Sequence, residues 1–180
     1  KSTPDSLYAL PYYVGKIARI KNSAVVALHK MEDFLKQLEV AGASEKTRYL
    51  AKLSMAEFYD EIGASEKALK ITEEALTHVL KSQEVTQEEI GKVKYNLGAS
   101  YLTAGDMPKA STWFREALKD YTGYAQTNKK KLSDGYNAMG AIMWMSSKLD
   151  SAAFYYDNAS KIIKEAPGDS IENLYYATVI

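Results

Sequence analysis

Leu97-Gly98-Ala99-Ser100-Tyr101, followed by Gly105, Ala110, Phe114 and Ala117, decides the fold because it recurs. Forty-two residues downstream stand Met139-Gly140-Ala141-Ile142-Met143, then Ser147, Ala152, Tyr156 and Ala159. Forty-two residues upstream stand Met55-Ala56-Glu57-Phe58-Tyr59, then Gly63, Ala68, Thr72 and Ala75. A fixed period of this size marks a stack of like units, not a globule built around one active site. Ser44, Thr86, Asn128 and Ser170 share the same 42-residue spacing. All four are helix N-cap types, whose side-chain oxygen accepts an orphan backbone N–H. Thr86-Gln87-Glu88-Glu89 has the capping-box pattern. Ser2 lies one further period upstream, with Pro4 near a helix start.

Within one copy, Leu97, Gly98 and Tyr101 share one helix face. Gly98 admits a neighbouring helix closely. Ala110, Phe114 and Ala117 place small, large and small side chains on a second helix. Gly105-Asp106-Met107-Pro108 between them is a turn with a proline at a new helix start. Each unit is therefore an antiparallel helix pair, and the fold class is all-α.

These residues resemble the tetratricopeptide repeat (TPR), whose pattern runs W-x2-L-G-x2-Y, then A-x3-F, then P. Leu97, Gly98, Tyr101, Ala110, Phe114 and Ala117 carry the likeness in the unit starting at Gly91. Gly140, Ala152, Tyr156 and Ala159 carry it in the unit from Ser133. Ala56, Tyr59, Gly63, Ala68 and Ala75 carry it in the unit from Tyr49. Lys52, Lys94 and Tyr136 replace the family tryptophan, and Leu80, Thr122 and Lys164 replace the closing proline. The long period is similar to the long-helix variety in kinesin light chains and bacterial signalling proteins, with each helix about one turn longer. The resemblance implies a right-handed superhelical solenoid of antiparallel pairs.

The periodicity divides the chain into helix pairs at 44–85, 86–127 and 128–169, with 170–180 opening a truncated further repeat. Residues 1–43 form a degenerate first pair. Its second helix follows Asn22 and carries Ala24, Leu28, Met31, Phe34, Leu35 and Leu38, and Pro11 kinks the helix before it. Leu174, Tyr175, Ala177 and Val179 present an apolar edge. The whole is expected to be a piece of a longer array, with self-association through that C-terminal edge.

Lysine plus arginine equals aspartate plus glutamate, 23 each, which argues against nucleic acid as partner. No apolar run reaches membrane-spanning length. Cysteine is absent, which removes disulfides and thiolate zinc sites and leaves cytoplasm and bacterial periplasm equally open. The two histidines, His29 and His78, have no spaced ligand set around them, and paired acids such as Glu73-Glu74 diverge on a helix. No catalytic residue, metal site or cofactor is expected.

The resemblance implies a concave groove lined by the first helix of each pair. Its positions here are Leu50, Leu53, Ser54, Glu57, Asp60 and Glu61; then Lys92, Tyr95, Asn96, Ala99, Leu102 and Thr103; then Asp134, Asn137, Ala138, Ala141, Trp144 and Met145. Asn96 and Asn137 can hold a peptide backbone, and Trp144 and Met145 suit contact hot spots. Lys129, Lys130 and Lys131 in a helix first turn oppose the macrodipole, and read as an exposed connection or an anion-docking spot. The function expected is a protein-interaction module binding a peptide segment or helix of a partner. The alternative is the sensory or regulatory part of a larger bacterial signalling protein, such as a sensor kinase or transcription regulator.

Overall fold

The computed structural model describes residues 24–82, 85–123 and 128–165. The expectations for Ser2, Pro4, Pro11, Asn22, Ser170 and the edge Leu174, Tyr175, Ala177 and Val179 lie outside the described residues. Among the described residues all regular structure is helical: α1 Ala24–Val40, α2 Glu45–Glu61, α3 Ser65–Val79, α4 Gln87–Thr103, α5 Met107–Thr122, α6 Lys129–Met145 and α7 Leu149–Lys164. The helices α2, α4 and α6 each have 17 residues. They start at Glu45, Gln87 and Lys129, one sequence period apart. The fold class is all-α, as the periodicity predicts.

The caps form where the sequence places them. Thr47 N donates to Ser44 Oγ at 3.1 Å, and Lys131 N donates to Asn128 Oδ1 at 3.3 Å. The capping box at Thr86 closes both ways: Glu89 N donates to Thr86 Oγ1 at 3.2 Å, and Thr86 N donates to Glu89 Oε2 at 2.8 Å. Each pair turns through a residue in the left-handed region: Gly63 at φ 79°, Gly105 at 83° and Ser147 at 57°. In the first and third turns a Schellman bond closes the helix, Ala64 N to Tyr59 O at 2.8 Å and Lys148 N to Met143 O at 2.9 Å.

Glycine holes receive aromatic knobs. A Cβ on Gly98 would stand 2.7 Å from the Phe114 ring, and one on Gly140 would stand 2.7 Å from the Tyr156 ring. The first copy carries Ala56 and Thr72 at these two positions, both buried. The smaller knob leaves room for the added methyl, so a different pair of side chains meets at the same place.

The chain forms two compact units. The first is Lys1–Val85 with Ala99–Gly105. Its core joins Met31 of α1 to Met55, Ala56, Phe58 and Tyr59 of α2 and Ala68 of α3. Leu38, Ala43 and Ala51 form a second apolar group with Phe34 and Leu35 packed on it. Met31 and Leu38 are thus the buried centre of the amphipathic α1. The end of α4 is tied in by Tyr101, whose hydroxyl donates to Glu73 Oε1 at 2.8 Å.

The second unit is Thr86–Gly98 with Asp106–Ile180. Ala117, Tyr121 and Leu132 are buried together, with Tyr95, Leu118, Tyr136 and Ile162 packed on them. Burial pushes the Tyr121 phenol far above its ordinary range, so it stays neutral at any working pH. Lys94, at a family tryptophan position, places its ammonium 2.7 Å from Asp120 Oδ2, and both side chains are largely buried.

Candidate functional site: interaction surfaces of the two units

In the first unit, α2 carries Leu50, Leu53, Ser54, Glu57, Asp60 and Glu61, and the last turns of α4 carry Ala99, Leu102 and Thr103. Leu53 is fully buried and Ser54 nearly so, so both pack as core instead of lining a surface. Glu61 and Thr103 are exposed, and Leu50, Glu57, Asp60, Ala99 and Leu102 are half-buried. Asp60 is the electrostatic centre of this surface. Ser100 Oγ donates to its Oδ2 at 2.5 Å, while its Oδ1 is buried without a donor. Burial raises its pKa to about 6; the Ser100 hydrogen bond opposes that rise and the Glu57 charge adds to it.

In the second unit, α4 contributes Lys92, Tyr95 and Asn96, and α6 contributes Asp134, Asn137, Ala138, Ala141, Trp144 and Met145. Tyr95 packs its ring against Phe114 and Tyr121, with centroids 5.2 and 6.5 Å away. Asn96 is only 7% exposed. These two are therefore mainly packing residues. Asn137 is half-buried and its Oδ1 lacks a donor. Burial raises the Asp134 pKa, opposed by the Lys130 charge. Trp144 and Met145, on the last turn of α6, are 63% and 48% exposed.

Two further exposed apolar residues, Leu149 and Phe154, lie on α7 beyond the turn that follows Met145. Both lie on a second helix, where the repeated positions are packing positions, so the spacing does not mark them. A signal existed: Phe154 stands where the earlier copies carry Lys70 and Thr112.

Lys129 and Lys131 of the α6 first turn bond within the chain. Lys131 Nζ donates to Glu88 Oε1 at 2.6 Å, and Lys129 Nζ donates to the Glu165 carbonyl at 2.7 Å. Lys131 first, with Asn128 also bonded to it, holds Glu88 below the usual carboxylate range. These pairs offset the unfavourable dipole position of Lys129 and Lys131 without an external anion; Lys130 is exposed. His29 lies 3.5 Å from Glu32, and His78 lies 3.0 Å from Glu45 with its ring against Tyr49.

The fold matches a solved structure. The crystal structure of BtubC (BKLC) from P. vanneervenii, a kinesin light chain-like TPR protein, superimposes with a TM-score of 0.70 at 15% identity. The match covers 97% of this chain and 77% of that one. What the two share is the fold. No protein-family model and no curated protein sequence matches the chain. Among the described residues, no helix is long and apolar enough to cross a membrane.

Proposed function

We propose that this chain is a protein-interaction module that receives a peptide segment or helix of a partner protein on the α6 surface of its second unit. The TPR-like fold supports a scaffold role. The observation that carries the reading is the exposure of Trp144 and Met145 at the end of α6, at positions that the resemblance to the TPR implies line a groove. Large apolar groups held on a rigid helix are the residue types that dominate interface energies. In this reading Trp144 and Met145 anchor apolar side chains of the partner segment. Asn137 holds its backbone, and Asp134 meets a donor or cation. In the first unit, Leu50, Glu57, Asp60, Glu61, Ala99, Leu102 and Thr103 form a surface of their own, whose charged groups are the carboxyls of Glu57, Asp60 and Glu61.

Selection of peptides from a displayed library, followed by fluorescence anisotropy, tests this. One set of peptides selected by the native chain is expected to lose affinity for a Trp144→Ala/Met145→Ala variant by about a hundredfold, or about 2.7 kcal/mol. Equal binding of every selected peptide to both proteins would place recognition elsewhere. Self-association is a competing use of the same apolar surface, and sedimentation of the native chain and the variant separates the two.

A further inference from the structure

The three copies treat one set of positions differently. In the second copy Lys94 pairs with Asp120, and Gln87 Nε2 donates to Asp120 Oδ1 at 2.7 Å. In the third copy the equivalents of Lys94 and Asp120 are Tyr136 and Ile162, which pack in one apolar group. In the first copy they are Lys52 and His78. His78 turns to Glu45, the counterpart of Gln87, at 3.0 Å. With histidine where aspartate stands, Lys52 loses its counter-ion. It is exposed and, among the described residues, has no carboxylate partner. A second difference adds space: Ile71 stands where the later copies carry Trp113 and Tyr155.

The result is a furrow in the first unit. Two cavities of about 260 and 330 Å³ adjoin there, sharing Lys52, Ile71 and Glu74. The α2 residues on its walls, from Glu45 through Lys52 and Met55 to Tyr59, follow a three-to-four-residue spacing. That stripe is about 21 Å long at 1.5 Å per residue, which fits about six extended residues and exceeds a small ligand. The larger cavity has a floor of Leu35, Met55, Tyr59 and Ile71. Its charged lining is Lys52, Lys67 and Lys70 against Glu74 alone, a surplus of positive charge. Lys67 holds its ammonium 5.3 Å above the Tyr59 ring. Among the described residues, Lys70 also has no carboxylate partner. The smaller cavity brings Glu39 and Glu45 to the other end, together with Arg48 and with His78 beside Glu45. No residue of the α2 surface described above lines either cavity.

We propose that this furrow is a second docking surface, whose occupant is an acidic peptide segment of a partner protein. An apolar side chain of the segment seats between Leu35, Met55 and Ile71, and its carboxylates meet Lys52, Lys67 and Lys70. Glu39 and Glu45, which outnumber Arg48 at the far end, set its direction by repelling the acidic part.

The test starts from a displayed library of 12-residue peptides, using the whole chain as bait. Each enriched peptide is then labelled and its affinity measured by anisotropy. A peptide set rich in Asp and Glu with one or two apolar residues is expected. Its binding should weaken by about tenfold or more in a Lys52→Glu/Lys67→Glu/Lys70→Glu variant. All three lysines are exposed, so circular dichroism should show the fold unchanged. Trp144→Ala/Met145→Ala should leave this peptide set unaffected, which separates the furrow from the α6 surface. The proposal is overturned if no acidic set is enriched or if the lysine variant binds that set equally. It is also overturned if phosphatidylserine vesicles bind the native chain while the acidic peptides do not.

Discussion

Ser147 adopts at φ 57° a backbone conformation that its two counterparts leave to glycine. A Cβ in the left-handed region crowds the following carbonyl, which costs an L-residue about 1 kcal/mol. Ser147→Gly is therefore expected to raise stability by roughly 0.5 kcal/mol, part of the gain being offset by glycine's freedom in the unfolded chain. Gly105→Ala should lose about 1 kcal/mol. Nothing lies within 4 Å of the added Cβ, so the backbone alone carries that effect. Urea unfolding midpoints measure both. Asp60 gives a pH signature. Its carboxyl binds a proton more readily in the folded chain than in the unfolded one, at about 6 against 3.8. The folded state therefore holds the extra proton between these values, and stability falls as pH rises through that window. Because the carboxyl is half-exposed, solvent screening limits the cost to about 1 kcal/mol at neutral pH. Asp60→Asn should recover that amount at pH 7.5 and nothing below pH 4. Equal stability differences at both pH values would contradict the assignment.

Knob-into-hole packing is a property of helix pairs. Gly98→Ala pushes a methyl into the Phe114 ring and should cost about 1–3 kcal/mol. Phe114→Leu should cost less in the Gly98→Ala background than in the native chain, because the shorter side chain makes room. A double-mutant cycle reads that coupling, and strictly additive losses would refute the complementarity. At this scale the sequence was highly legible. Caps, turns and pair packing are local, so Ser44, Thr86, Asn128, Gly63 and Gly105 announce their structure within a few residues. Surface exposure was far less legible. Leu50 and Leu53 look alike in sequence, yet only Leu53 is fully buried. Which face is covered depends on elements distant in the chain. Lys131 illustrates the same limit: its odd position is explained by Glu88, a residue of α4. The furrow was hidden for a further reason. It arises from what the first copy lacks: the aspartate that the second copy carries at 120, and the ring that both later copies carry at 113 and 155.

The whole molecule shares its fold with a protein at 15% identity. A small set of periodic packing residues is enough to specify such a stack, which leaves most surface positions free to diverge. The two proposed docking surfaces are therefore features of this chain: the exposed Trp144 and Met145 on one unit, and Lys52 and Lys70, exposed and without a carboxylate partner among the described residues, on the other. The two differ in chemistry and so in salt response. Binding at the lysine furrow should weaken as ionic strength rises, whereas binding anchored by Trp144 should change little. Titrations of each selected peptide set at low and high salt should show this division. The most direct measurement of the central claim is the affinity of library-selected peptides for the native chain against the Trp144→Ala/Met145→Ala variant. A loss of about a hundredfold confined to one peptide set, with the fold unchanged, is the predicted result. Undiminished binding of every selected peptide to that variant would refute peptide docking on the α6 surface.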